Sequence, residues 1–258
     1  MPISVAHTNI LEASTVSLVG VTAASGYPLY RVYDRVLGRM LRTSGTGTQK
    51  ILVDQGASPA VIDSLIIPAG HNLTGCALSL EWSTVGDDVD GHWTAPDLNG
   101  SFTNPWTQAD ANLIFRQMTT APEAKRYWRL KIAGASVAPE LGEVFLASLV
   151  TFQAFPDYSG AALGGKWNRS RLESVSGLVS FFARGVARRT VAYEFPFIYD
   201  SELPAFQAWM DAWGGCRPFF FVDNAGNMFF AEVNEETYQF RPKPVGVNGL
   251  TVNITEVL

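Results

Sequence analysis

The sequence predicts a mainly β protein in two parts: an N-terminal β-sandwich, and a C-terminal α+β domain in which one helix packs on a barrel or sheet. Three observations carry that prediction. Short segments alternate apolar and polar residues with the two-residue period of a half-buried strand, above all Cys76-Ala-Leu-Ser-Leu-Glu-Trp82. One stretch alone, 201–213, has the helical period, with Leu203, Phe206, Trp209, Met210 and Trp213 on one stripe. The composition, 47% apolar, 17% charged and 12% aromatic with 23 glycines, is that of a folded, turn-rich chain with little surface charge.

Taken in order, residues 1–20 read as an arm or entry strand, with Val16, Leu18 and Val19 apolar among Ser and Thr. Residues 21–150 give short strands broken by turns, the rhythm of a sandwich. Leu65-Ile-Ile67 is one strand. The turn Pro68-Ala-Gly-His-Asn-Leu-Thr-Gly75 leads into the strand 76–82, and 126–132 is a third, with Trp128, Leu130 and Ile132 on one face. Between them lies a polar loop, Asp87-Asp-Val-Asp-Gly-His-Trp-Thr-Ala-Pro96, and 110–118 is a further strand or a short helical turn. Gly, Pro and small residues around 155–165 mark a linker, placed at 151–167.

The second domain, 168–258, opens with strands 172–183 and 186–197 as a hairpin about Gly185, with Val191, Tyr193, Phe195 and Phe197 on one face. Asp200 or Ser201 caps the helix and Gly214-Gly215 end it. Residues 219–222 and 228–233 form a hairpin around Asp223-Asn-Ala-Gly-Asn227, and 250–255 alternates as the last strand.

Two resemblances follow from these blocks. The turn and strand 67–82, then Arg126-Tyr-Trp-Arg-Leu-Lys-Ile132 and Glu140-Leu-Gly-Glu-Val-Phe-Leu146, resemble the discoidin-like, galactose-binding-like β-sandwich, a fold that mostly binds or scaffolds. The order hairpin, helix, Pro-Phe-Phe-Phe hairpin and alternating last strand resembles the tube-forming domain of phage tail proteins. Long-tailed phage distal-tail or baseplate proteins often pair such a domain with a sandwich. The resemblance implies a virion protein made in the host cytoplasm, a ring of six copies of itself, and contacts with the tail tube and baseplate hub. The hairpins 172–197 and 217–233 would build the ring's barrel.

Size and charge narrow the function. With 258 residues the chain suits two domains of about 100–150 residues. A net charge of −5 argues against nucleic-acid binding. No apolar run reaches the ~18–20 residues of a membrane span, and the N-terminus has no basic region of a secretory signal. The two cysteines, Cys76 and Cys216, read as small buried residues in different domains.

No reactive constellation is visible: His7, His71 and His92 lack metal-ligand spacing, and no nucleophile turn or phosphate loop occurs. The chain reads as a non-enzyme without cofactor, and Glu140 and Glu143 as surface or edge residues. His71 with Asn72 either lines a ligand pocket or closes a turn. Asp87, Asp88 and Asp90 hint at calcium, but no acid closes the loop, and a solvated Asp-Gly turn is the competing reading. Trp93 and Trp106, with Phe102, either form a sugar platform or plug one end of the sandwich. Lys166, Arg169, Arg171, Arg184, Arg188 and Arg189 face the single Glu173 within 166–189, whereas 194–258 carries nine acidic residues against three basic ones. Head-to-tail contacts through Arg184, Arg188 and Arg189, a solvated face, or a lumen would each fit. The reading is a structural component of a phage tail tip or baseplate, a hexameric ring; the alternative is a carbohydrate-binding, host-recognition module for a surface glycan.

Overall fold

In a computed structural model, the described residues are 2–98, 103–120, 124–154, 162–166, 169–173, 179–183, 188–213, 217–223, 225–233, 239–243 and 246–257. Only backbone is described for 162–183 within these, and for Arg189 and Trp213. The chain is mainly β, with one α-helix among the described residues. It divides into two compact units: Ala6–Leu149, and Met1–Val5 together with Val150–Leu258. The sandwich is therefore an insertion into the second unit.

That division corrects the expected boundaries. Residues 1–20 are not one arm, because Ile3 and Val5 are fully buried in the core of the second unit while Leu11 is fully buried in that of the sandwich. The chain opens with β1 (Ser4–Ala6), which later pairs antiparallel with β12 (Val150–Thr151). Strand β13 (Ala162–Lys166) falls inside the expected linker, and β12 overlaps its first residue.

The sandwich unit runs through β2 (Thr15–Val19), β3 (Leu41–Arg42), β4 (Gln49–Asp54), β5 (Ser64–Ile67), β6 (Ala77–Ser83), β7 (Trp106–Thr107), β8 (Ile114–Gln117), β9 (Tyr127–Ala133), β10 (Glu140–Leu141) and β11 (Phe145–Ala147). Its main sheet is β2-β4-β9-β6-β7, opposed by β11-β5-β8, with β10-β3 as a small pair. The segment 110–118 is thus a strand. Register follows the alternation seen in sequence. Ile51 faces Leu130, which faces Leu80; Val53 faces Trp128, which faces Trp82. Ile51, Val53, Leu78, Leu80, Trp128 and Leu130 fill the core. The complementary set, Lys50, Arg129, Lys131 and Glu81, lies on the other face, and a one-residue slip would exchange the two sets.

The second unit holds β14 (Arg169–Glu173), β15 (Val179–Ala183), β16 (Arg188–Tyr199), α1 (Leu203–Trp213), β17 (Phe219–Val222), β18 (Met228–Val233), β19 (Arg241–Pro242) and β20 (Val247–Glu256). One sheet, β12-β1-β17-β18-β20-β16-β13 with β19 on β20, takes all of these strands except β14 and β15, which pair with each other. The expected strand 172–183 is therefore parts of two, and β16 pairs with β20 and β13 rather than with its predecessor. Gly185 lies outside the described residues. Phe206, Trp209 and Met210 bury the face of α1 as its period dictates, and they join Phe152, Phe195, Phe219 and Phe221 in an aromatic core. Phe197, expected on that core face, is 60% exposed. The pairing jumps from Phe195↔Leu250 to Ile198↔Asn248, so Pro196 and Phe197 together oppose Gly249, and this bulge turns Phe197 outward. The β17–β18 turn is held by Asp223, whose Oδ1 accepts from the backbone N–H of Ala225 (2.8 Å) and Asn227 (2.7 Å), with Gly226 at φ +85°.

Ile3→Ala is expected to cost about 2–4 kcal/mol and to act on the second unit alone. Hydrogen exchange should show lost protection in β17, β18 and β20 with β4 and β9 unchanged; equal loss in both units would contradict the insertion.

Candidate functional site

The outer face of the five-stranded sheet positions the site. Register sets Lys50 beside Lys131, and Arg129 beside Glu81. After β6 the chain turns back over this face. Trp82 and Thr94 exchange backbone hydrogen bonds of 2.9 and 2.8 Å, closing the loop between them. Ser83 Oγ sits 2.8 Å from the Val85 carbonyl and 2.7 Å from that of His92, and a short 3-10 turn spans Asp90–His92.

The loop's acids meet the sheet's cations. Asp90 Oδ1 accepts from Lys50 Nζ (3.1 Å) and Arg129 Nη2 (2.7 Å), and Oδ2 from Lys131 Nζ (2.9 Å). Asp88 Oδ1 takes Lys50 Nζ at 2.5 Å, and Glu81 Oε2 takes Arg129 Nε at 2.5 Å. Hydrogen bonds from Lys131 and then Lys50 hold the Asp90 carboxyl far below the usual carboxylate range. Arg129 is 1% exposed, and its guanidinium carbon lies 4.4 Å from the centre of the Trp93 ring. The Trp93 indole N–H donates to the Asp87 carbonyl (3.0 Å), and His92 Nδ1 lies 2.8 Å from Asp87 Oδ2.

These contacts correct the calcium reading of Asp87, Asp88 and Asp90. The sequence shows their spacing but not that the sheet beneath supplies three cations to Asp88 and Asp90, nor that Asp87 pairs with His92. Among the described residues no group of three or more His, Cys, Asp or Glu is arranged to hold a metal ion.

Of the two described sugar-platform candidates, Trp93 stays at the surface, half-buried, and Trp106 does not. Trp106 is 5% exposed, its indole N–H bound to Gln108 Oε1 (3.3 Å) and its ring 5.2 Å from the Arg116 guanidinium, so it belongs to the core. His71 is 2% exposed. Its Nδ1 accepts from the Leu73 N–H (3.3 Å) and its Nε2 donates to the Asn112 carbonyl (2.9 Å), which fixes a neutral ring whose pKa burial lowers. Asn72 closes the same turn, donating to the Ala138 carbonyl (3.0 Å) and accepting from the Glu140 N–H (2.6 Å). Phe102, Arg184 and Cys216 lie outside the described residues. Arg188 is half-buried on β16, Arg189 pairs with Gly165 there, and Cys76 is a buried free thiol.

Glu143, expected at an edge, is fully buried. Its Oε1 accepts from Asn9 Nδ2 (2.9 Å) and its Oε2 from the Arg35 N–H (2.8 Å). Asn9 also donates to the Val144 carbonyl (2.8 Å) and caps the following 3-10 turn through the Leu11 N–H. Arg35, held at φ +61°, pairs with Glu12 and donates to the His7 carbonyl (3.1 Å). Glu140 pairs with Arg42. The two glutamates are therefore structural members of separate contacts.

No protein-family model matches the chain, and no curated protein matches it. Solved structures similar to it include carbohydrate-binding modules. A chitosan-binding module from a chitosanase/glucanase of Paenibacillus sp. IK-5 is 15% identical, with a TM-score of 0.44 over 55% of this chain and 100% of that one. A family 32 carbohydrate-binding module of Clostridium perfringens NanJ, in complex with galactose, is 12% identical, with a TM-score of 0.43 over 56% of this chain and 99% of that one. For an α-L-fucosidase described as such from Bacteroides thetaiotaomicron, at 21% identity and a TM-score of 0.42, the match spans 55% of this chain and 28% of that one. The fold stands on the strands and registers given above.

Burial, opposed by the Arg35 and Asn9 hydrogen bonds, pushes the Glu143 carboxyl from its ordinary 4.5 up to about 7. The folded state then holds a proton that the unfolded state has released, so this contribution is present below pH 4.5 and is lost as pH rises to about 7. His7 and His71, both lowered by burial, act in the opposite direction at their own positions. Comparison with Glu143→Gln cancels them. Between pH ~4.5 and ~7 wild-type stability should fall relative to the variant by at most about 3 kcal/mol; a pH-independent difference in urea unfolding would contradict this.

Proposed function

We propose that the sandwich unit binds carbohydrate, with the Trp93 ring as its platform, and that the second unit attaches it to a larger assembly. The observation that carries this reading is the fixing of Trp93: a half-buried ring with a guanidinium at 4.4 Å and its N–H bonded to the Asp87 carbonyl. A ring already fixed loses little entropy when a sugar's C–H face stacks on it. The exposed His92–Asp87 pair beside it supplies a donor and acceptors for hydroxyl groups. The role is binding rather than hydrolysis, because glycosidases need two carboxyls facing a cleft, whereas Glu143 is buried on Asn9 and Arg35, and Glu140 pairs with Arg42. No cofactor enters this role.

A second reading, compatible with the first, is a virion protein of a phage tail tip or baseplate. It would be a ring of six copies joining the tail tube to hub proteins. The insertion favours it: β1 and β12 are adjacent antiparallel strands, so the second unit closes around its own core and carries the sandwich as a decoration. Phe197 and Tyr199, 60% and 58% exposed on β16, offer it aromatic contact area.

A glycan array with wild type and Trp93→Ala tests the primary reading. Trp93→Ala should weaken binding of any captured glycan about ten-fold or more, the scale of a lost aromatic contact, with the sandwich still folded by circular dichroism. Trp106→Ala should instead unfold the sandwich. An array with no binder, or one indifferent to Trp93→Ala, would refute the platform.

A further inference from the structure

We propose that Lys50, Arg129 and Lys131 are the anion-recognising half of the same site, and that its ligand is an acidic saccharide whose carboxylate or sulfate takes the place Asp90 now fills. The inference rests on the carbohydrate reading above and names the class of sugar. Four observations point to it. Three cationic groups converge on the single Asp90 carboxylate, at 3.1, 2.7 and 2.9 Å. The Arg129 pair is a buried one that needs an anion on it, and a ligand's carboxylate or sulfate would meet that need as Asp90 does.

The acids and cations differ sharply in exposure. The Asp88 and Asp90 side chains are 51% and 58% exposed, whereas Arg129 is 1% and Lys50 11%. The acids are the outer, replaceable layer over a fixed cationic floor. Arg129 Nη1 is buried without a hydrogen-bond partner, 3.9 Å from the nearer Asp88 oxygen. A planar guanidinium fork suits a carboxylate or sulfate presenting two oxygens, and Asp90 engages only one arm of it. Trp93 adjoins the same guanidinium, so an anionic group on Arg129 would bring its sugar ring beside the indole.

In this arrangement the turn 87–90 is a tethered competitor. A segment held by a short tether acts at an effective concentration in the millimolar range. An incoming acid therefore binds with reduced apparent affinity, and removing the turn's charges should strengthen binding.

Isothermal titration of wild type and an Asp88→Asn/Asp90→Asn variant tests this, using a heparin-derived tetrasaccharide, a neutral galacto-oligosaccharide and inorganic sulfate as probes. The sulfated tetrasaccharide should bind the variant about ten-fold more tightly than wild type, and its affinity should fall as salt rises. Asp88→Asn alone, which leaves Asp90 in place, should give a smaller gain and serves if the double variant does not fold. No gain for the acidic sugar, or a preference for the neutral one, would overturn this inference and leave the carbohydrate reading standing. Sulfate matching the tetrasaccharide would overturn the saccharide class. Binding of neither sugar would sink both.

Discussion

Arg129 is the residue on which the outer face of the sandwich's five-stranded sheet depends. It stands on the outward side of a sheet, where alternation sends it, yet it is 1% exposed. A buried guanidinium without compensation costs several kcal/mol, so something must cover and neutralise it. Glu81 does so from the neighbouring strand, and the chain after β6 does the rest by laying Asp88, Asp90 and Trp93 over it. The loop's path, the occupation of its carboxylates and the fixing of its tryptophan are consequences of one buried charge.

The second unit is organised by a different force. Its helix contributes Phe206 and Trp209 to a cluster whose ring centroids lie 4.0 to 6.4 Å apart, with several edge-on pairs. Such pairs add about 0.5–1.5 kcal/mol each beyond area burial. Ile3 and Phe152, from the two ends of the insertion, are buried in the same core. Inserting a sandwich between them is tolerated because the entering and leaving strands are already paired, which keeps the two crossing points together.

Much of this was legible in the sequence, and what was not has physical reasons. The alternation at 76–82 and 126–132 gave the right strands and inward faces, and the stripe on 201–213 gave the helix, because period alone decides which residues share a face. Period does not say what covers the opposite face. Nothing in the period placed Arg129 and Lys131 under a loop, and the aspartates read as a solvated turn or a calcium loop. The spacing of β1 from its partner β12 crosses the whole insertion, so no local signal could assign Ile3 and Val5 to the second unit. Phe197 followed the alternation of Tyr193 and Phe195 until the bulge at Pro196 broke it, where Pro196 and Phe197 together oppose Gly249. Trp106 and His71 carry residue types that suit sugar sites equally well as cores, and only burial separates the two roles.

The most direct measurement is an indole-region ¹H–¹⁵N spectrum of the protein, followed as acidic and neutral oligosaccharides are added. The Trp93 resonance should move with saturating ligand, while those of Trp106 and Trp128, buried in the sandwich core, stay in place. A Trp93 signal that remains fixed while ligand binds elsewhere would contradict the account.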